Sequence, residues 1–212
     1  MDKMLIKCFT VGSFETNCYI VSDGETLECA VIDPGADGST ILNYLEEARL
    51  TCRAILLTHG HFDHTGAVGT LMEETGAPLY MHKADDGITV GGDYFRFSAP
   101  AGTRFYKDGD ELALGALRFT VLETPGHTPG SVTLLCAGAG SGDRALFTGD
   151  TLFRDSCGRT DFPGSSTESI MRSLKRLSAL PGDYEVYPGH MGASTLERER
   201  NVNLFMLRAM RS

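Results

Sequence analysis

The sequence predicts a layered α/β (α+β) domain, and three observations carry that reading. Short apolar runs of strand type recur along the chain. Amphipathic helical patterns lie between them. Several of the runs are too closely spaced for anything but hairpins, which calls for mixed rather than purely parallel sheets. The 212 residues, 42% of them hydrophobic and 22% charged, are enough for one domain with a sizeable core. No Pro/Gly/Ser linker, repeat or low-complexity tract divides them, so residues 1–212 read as a single domain.

Taken in order, the strand-like runs are Cys18–Val21, Cys29–Ile32, Ala54–Leu57, Leu117–Leu122, Val132–Leu135, Ala145–Phe147 and Glu185–Tyr187. In the fourth, Leu117, Phe119 and Val121 alternate with Arg118 and Thr120, the period-2 pattern of a half-buried strand. The segment CAGAGSGDRA at 136–145 reads as a hairpin loop. Ser39 is expected to cap a helix with Ile41, Leu42, Leu45 and Ala48 on one face. Thr65 is expected to open a second, bearing Val68, Leu71 and Met72 and closed by Gly76 and Pro78. A third spans Thr167–Leu180 with Ile170, Leu174 and Leu177 at helical spacing, and a last one covers Thr195–Met210.

The formal net charge is −9, which argues against nucleic acid or an anionic membrane as partner. No apolar run reaches bilayer length, and the N-terminal MDKMLIKCFTVG has no apolar stretch of signal-peptide length. The six cysteines show no C-x-x-C or zinc-ribbon spacing, so they read as reduced thiols, mostly in the core, and the compartment as cytoplasm.

Four of the strands break at tight turns that deliver histidine or aspartate. RAILL runs into Thr58-His59, FTVLE into Thr124-Pro125-Gly126-His127, RALF into Thr148-Gly149-Asp150, and YEVY into Pro188-Gly189-His190. Side chains at strand ends are held rigidly yet open to solvent. Five of the six histidines lie on these turns. A lone loop histidine is seldom a ligand, but four such turns together point to a metal site. His59 and His61, two apart, project to one side of an extended loop, whereas Asp63 and His64 follow as the chain turns. That spacing suits two neighbouring metals. Imidazole and carboxylate donors suit zinc, iron or manganese. His82 shares none of this context and reads as structural.

THGHFDH at 58–64, TPGHTPGS at 124–131, FTGDTLF at 147–153 and YPGH at 187–190 together resemble the metallo-β-lactamase-fold hydrolases, over essentially the whole chain. VGSFETNCYIV at 11–21 and the PGH-containing C-terminal third are similar to the compact, single-domain glyoxalase II-like (hydroxyacylglutathione hydrolase-like) branch. The resemblance implies an αββα sandwich of two mixed β-sheets flanked by helices, with metals at one edge. It implies that His59, His61 and His127 bind a first divalent metal, that Asp63, His64 and His190 bind a second, and that Asp150 bridges the two. Zinc is the first expectation for both ions, with iron or manganese as the others. It further implies attack by a metal-bridging hydroxide on a small-molecule thioester of S-acylglutathione type, with Asp63 orienting or deprotonating the metal-bound water.

The chain departs from that branch in two places. With the last expected helix closing near residue 210, the helical domain that supplies glutathione contacts in the long form is not expected. Where the branch carries a Gly-Lys-Phe-Tyr type stretch, this chain has Cys157-Gly158-Arg159-Thr160-Asp161-Phe162. Arg159 keeps the positive charge and is a candidate for a substrate carboxylate, the plainer alternative being a surface pair with an acid, and Asp161 stands at the tyrosine position. The CGRTDF stretch is also similar to persulfide dioxygenases of the same fold, in which a single iron would sit on His59, His127 and Asp150. A non-catalytic module, with metals that only stabilise the fold, is the third reading.

Overall fold

The computed structural model describes residues 4–92, 95–138 and 142–212. Strands β1 (Met4–Val11), β2 (Thr16–Asp23) and β3 (Glu28–Ile32) lead into helix α1 (Gly38–Glu47). Strand β4 (Thr51–Leu56) is followed by the short helix α2 (Phe62–Thr65), helix α3 (Val68–Thr75), and strands β5 (Leu79–His82) and β6 (Arg104–Tyr106). Strands β7 (Glu111–Leu114), β8 (Leu117–Glu123), β9 (Val132–Gly138) and β10 (Arg144–Gly149) come next, then the small hairpin β11 (Leu152–Phe153) and β12 (Ser156–Cys157). Helix α4 (Thr167–Ser178), strands β13 (Glu185–Pro188) and β14 (Ser194–Thr195), and helices α5 (Leu196–Val202) and α6 (Leu204–Arg211) complete the chain.

Two six-stranded mixed sheets result, ordered β1-β2-β3-β4-β5-β6 and β14-β13-β10-β9-β8-β7. Period-2 alternation decides which side chain enters which layer. In β2, Tyr19 and Val21 face the second sheet, meeting Phe119, Val121, Leu134 and Phe147. Their neighbours Cys18 and Ile20 face the helices, with Ile41 and Leu45 of α1 and Val68 and Leu71 of α3. On the far side, Leu146 and Val186 pack under Leu174 and Leu177 of α4 and Met206 and Ala209 of α6. The four layers are helix, sheet, sheet, helix, the αββα sandwich. Each fully buried aliphatic or aromatic side chain contributes about 1.5–3 kcal/mol.

All seven expected strands are present. Helix α1 starts two residues earlier than Ser39 implies: Asp37, in the left-handed region at φ 55°, occupies the N-cap position, and its carboxylate accepts from Gly12 N instead of capping the helix. Thr65 closes α2 rather than opening α3; Gly76, at φ 68°, does end α3. The last helix is broken in two. Asn203 is extended at φ −72°, ψ 112°, and its side chain accepts from Phe205 N and Met206 N, which caps a new helix. The expected loop at 136–145 joins antiparallel β9 and β10, its residues 139–141 lying outside the described ones. All six cysteines are free; Cys18, Cys29, Cys52 and Cys136 are buried. Among the described residues, no helix is long and apolar enough to cross a membrane.

Candidate metal centre

Direction in the sheets explains why distant turns meet. Strand β10 is parallel to β13 and antiparallel to β9, which is antiparallel to β8. Strands β8, β10 and β13 therefore all end at the same edge. Strand β4 ends at that edge of the facing sheet, and Val132 N donates to Thr58 O across the gap. His59, His127, Asp150 and His190 follow these four ends.

Donor atoms within 4.8 Å of one another form three sets: His59 with His61 and His127, Asp63 with His64 and His190, and, behind the rings, Asp33 with His59 and His64. The first two face the cavity side and are the ligand groups. Asp150 lies between them. Its Oδ2 is 3.4 Å from His127 Nε2 and 3.7 Å from His190 Nε2, and its Oδ1 is 3.5 Å from His64 Nε2. Asp63 Oδ2 is 3.4 Å from His190 Nε2 and 3.8 Å from His64 Nε2. These separations exceed good hydrogen bonds and suit atoms that share a common cation.

Hydrogen bonding behind the rings fixes which nitrogen faces inward. Thr58 Oγ1 donates to Asp33 Oδ2 at 2.6 Å, so it accepts from His59 Nδ1 at 3.1 Å. His64 Nδ1 donates to Asp33 Oδ2 at 3.1 Å, and His127 Nδ1 donates to the Arg159 carbonyl at 2.9 Å. Each of the three rings thus turns a bare Nε2 toward the cluster, the pattern that metal-ligating imidazoles show. His61 instead presents Nδ1, 2.9 Å from His127 Nε2. Buried and without any hydrogen-bond partner, His59 Nε2, His64 Nε2 and Asp150 Oδ1 are orphans. Leaving such atoms unpaired costs about 1–3 kcal/mol each, and divalent metals held by this nitrogen and oxygen set would satisfy all three.

The charges agree. Burial, reinforced by the neighbouring imidazoles, pushes His59 down and His61 to about 3, so both rings are neutral donors. Burial also works against charge on His64, yet Asp150, Asp33 and Asp63 raise it to about 9. Converging carboxylates demand a cation at that point, which a proton or a metal supplies. Burial opposes ionisation of Asp63, but His190 and His64 outweigh it and hold the carboxyl at about 2.

Two close approaches make the packing possible. A Cβ on Gly35 would lie 1.7 Å from the Asp63 carbonyl oxygen, and one on Gly189 would lie 2.3 Å from Asp150 Oδ1 and 2.7 Å from His64 Cε1. Beside the cluster opens a cavity of about 430 Å³, walled by Phe14, Phe62, Phe153, Phe162 and Met191, with Arg159 at its rim. His82 lies apart, with Nε2 3.1 Å from Glu123 Oε1 and Nδ1 accepting from Ala84 N.

Two residues escaped the sequence reading. Asp33 also accepts from Thr58 N at 2.7 Å, so it braces the His59 turn and the His64 ring together. Its signal was available, because β3 runs into Asp33-Pro34-Gly35 just as the other strands run into their turns. Asp85, fully buried, accepts from Gly60 N, Gly130 N and Thr128 Oγ1 at 2.9, 2.7 and 2.7 Å. It ties the His59–His61 loop to the turn after His127, and nothing in KADD marks it.

The family model of the metallo-beta-lactamase superfamily matches residues 11–190. The chain belongs to this superfamily of metal-dependent hydrolases. It is 32% identical to the hydroxyacylglutathione hydrolase GloC of Haemophilus influenzae, with 96% of this chain and 98% of that protein covered. Among solved structures it is similar to TTHA1623 in a di-iron-bound form, at 36% identity and TM-score 0.80 over 94% of this chain and 99% of that one. It is also similar to ETHE1 from Myxococcus xanthus, at 31% identity and TM-score 0.76 over 95% and 84%.

Proposed function

We propose that the protein is a two-metal thioesterase acting on S-acylglutathione-type thioesters, in the cytoplasm. The observation that carries this reading is the trio of buried, partnerless donor atoms on His59, His64 and Asp150, set among two ligand groups whose His61, His127, Asp63 and His190 line one cavity. His59, His61 and His127 would hold one ion, Asp63, His64 and His190 the other, and Asp150 both. Bound there, divalent metals supply a water acidified to near-neutral pKa and a Lewis acid for the substrate carbonyl.

The chain's own groups do the rest. Asp63, held ionised against burial by His190 and His64, would orient the nucleophilic water or take up its proton, beside His190. The phenylalanine walls exclude bulk water and position the acyl arm. A thiolate leaves without help, so no separate general acid is required of the site. The similarity to GloC supports this substrate class.

A second reading, a mononuclear iron persulfide dioxygenase on His59, His127 and Asp150, has support in the CGRTDF stretch and the similarity to ETHE1. One experiment separates them: turnover of a small thioester panel led by S-lactoylglutathione, with zinc, iron and manganese measured on the same preparation. Two metals per chain and thioester hydrolysis are expected. One iron per chain, with oxygen uptake on a glutathione persulfide, would overturn the hydrolase reading. An Asp63→Ala variant that stays folded and metal-loaded but inactive would exclude a merely structural role for the metals.

A further inference from the structure

Around the cavity the charges are unevenly placed. Its histidines and aspartates belong to the ligand groups, and Arg159 is the only lysine or arginine lining it among the described residues. That guanidinium is already engaged. Nε donates to Asp161 Oδ1 at 2.6 Å and Nη2 to Asp161 Oδ2 at 2.7 Å, a two-pronged pair that uses both carboxylate oxygens. The guanidinium carbon also sits over the Phe162 ring, 4.2 Å from its centre, a cation–π contact that anchors the fork at the wall. The remaining wall is apolar apart from Ser156. Phe14 packs edge-on against Phe62 at 5.0 Å and Phe62 against Phe95 at 4.6 Å. Phe14 and Met191 are 58% and 62% exposed at the rim, large apolar side chains left in water where a ligand would cover them.

We propose that this groove takes its substrate by an uncharged, apolar arm, and that Asp161 sets the preference by occupying the Arg159 guanidinium. This deepens the thioesterase reading and rests on it for the reaction: an S-acylglutathione is held by its acyl arm without a grip on its carboxylates, so a thioester with an uncharged carrier serves at least as well. A fork that already holds one carboxylate in bidentate fashion has its best donors spent, so a substrate carboxylate gains little from it. An apolar arm gains the burial of Phe14, Phe62, Phe162 and Met191 instead. Asp161 is thus a specificity-determining residue: it touches neither the ligand groups nor the reacting bond, and acts through Arg159.

The test uses the metal-loaded protein and two non-hydrolysable thioethers with the same alkyl arm. S-butylglutathione is anionic; S-butyl-N-acetylcysteamine is uncharged. Binding is measured by calorimetry at low and high salt, with metal content checked for each variant. The wild type is expected to bind the uncharged thioether at least as tightly, with little salt dependence for either. Asp161→Asn should tighten S-butylglutathione roughly two- to fivefold, the scale of one exposed ion pair, lose that gain at high salt, and leave the uncharged thioether unchanged. The double variant Arg159→Gln/Asp161→Asn should return S-butylglutathione to its wild-type affinity and leave the uncharged thioether unchanged. A wild type that prefers S-butylglutathione tenfold, a double variant that keeps the Asp161→Asn gain, an Asp161→Asn variant that shifts both ligands alike, or failure of both thioethers to bind would each overturn the proposal. If the binding preference holds but no thioester is hydrolysed, the reaction assigned above fails and the assignment of the groove survives.

Discussion

Replacing Asp85 by alanine removes the acceptor of three buried donors at once: Gly60 N, Gly130 N and Thr128 Oγ1. Each donor left unpaired costs about 1–3 kcal/mol. The sum is reduced because the carboxylate itself is costly to bury. Burial raises its pKa, against the three hydrogen bonds that lower it. A net loss of about 3–5 kcal/mol is expected, a large part of the roughly 5–15 kcal/mol that keeps a domain folded. With a urea slope near ~2 kcal/mol/M, the unfolding midpoint should fall by about 1.5–2.5 M. Because Gly60 separates His59 from His61, metal affinity should fall about tenfold, at the low end for groups that brace ligands. Asp85→Asn, which keeps the shape and one acceptor oxygen, should lose about half as much. Urea titrations of both variants, with metal content by elemental analysis, make the check. An Asp85→Ala protein within about 1 kcal/mol of wild type and fully metal-loaded would refute the view that this carboxylate joins the two ligand loops.

Three further outcomes are expected. Gly189→Ala drives a Cβ into Asp150 Oδ1 and His64 Cε1, so metal analysis should find the ion on Asp63, His64 and His190 lost while the protein stays folded. Chelation strands His59 Nε2, His64 Nε2 and Asp150 Oδ1. Restoring metal at about a hundred times the Kd of each site should return about 2.7 kcal/mol per ion, about 5.4 kcal/mol for two, read as a rise of roughly 10–20 °C in Tm. Asp23 accepts from Ala116 N at 2.7 Å and Glu25 N at 2.9 Å, which hold its carboxyl below the ordinary value. The fold therefore favours the charged form. Its contribution is complete above pH ~4 and is lost as the pH falls through the depressed value. Asp23→Asn should lower the urea midpoint at pH 6 and flatten its decline toward pH 3.

Much of the architecture was legible because burial imprints the sequence locally. The strands buried on both faces carry short apolar runs, Cys18–Val21 in β2, Cys29–Ile32 in β3 and Ala54–Leu56 in β4, and α4 carries Ile170, Leu174 and Leu177 on one face. What escaped was weakly patterned. Strand β1 is largely exposed and β6 has three residues, so neither carries a clear period. The break at Asn203 depends on a side chain choosing to cap α6 instead of continuing α5, a competition that tertiary packing decides.

At the site, the sequence by itself determined the donor chemistry: histidines and aspartates at the ends of apolar strands, split between an H-x-H pair and a D-H pair. Strand ends are local features, and a rigid strand announces where its turn begins. Only the tertiary structure decided which turns meet, which ring nitrogen each histidine turns inward, and which buried carboxylates brace them. It also decided that the one arginine at the cavity rim grips Asp161. These depend on partners such as Asp33 with His64 and Asp85 with Gly130, 31 and 45 residues apart. Hydrogen bonds at that separation leave no periodicity in the chain; they exist only once two sheets have brought the ends of their strands to a common edge.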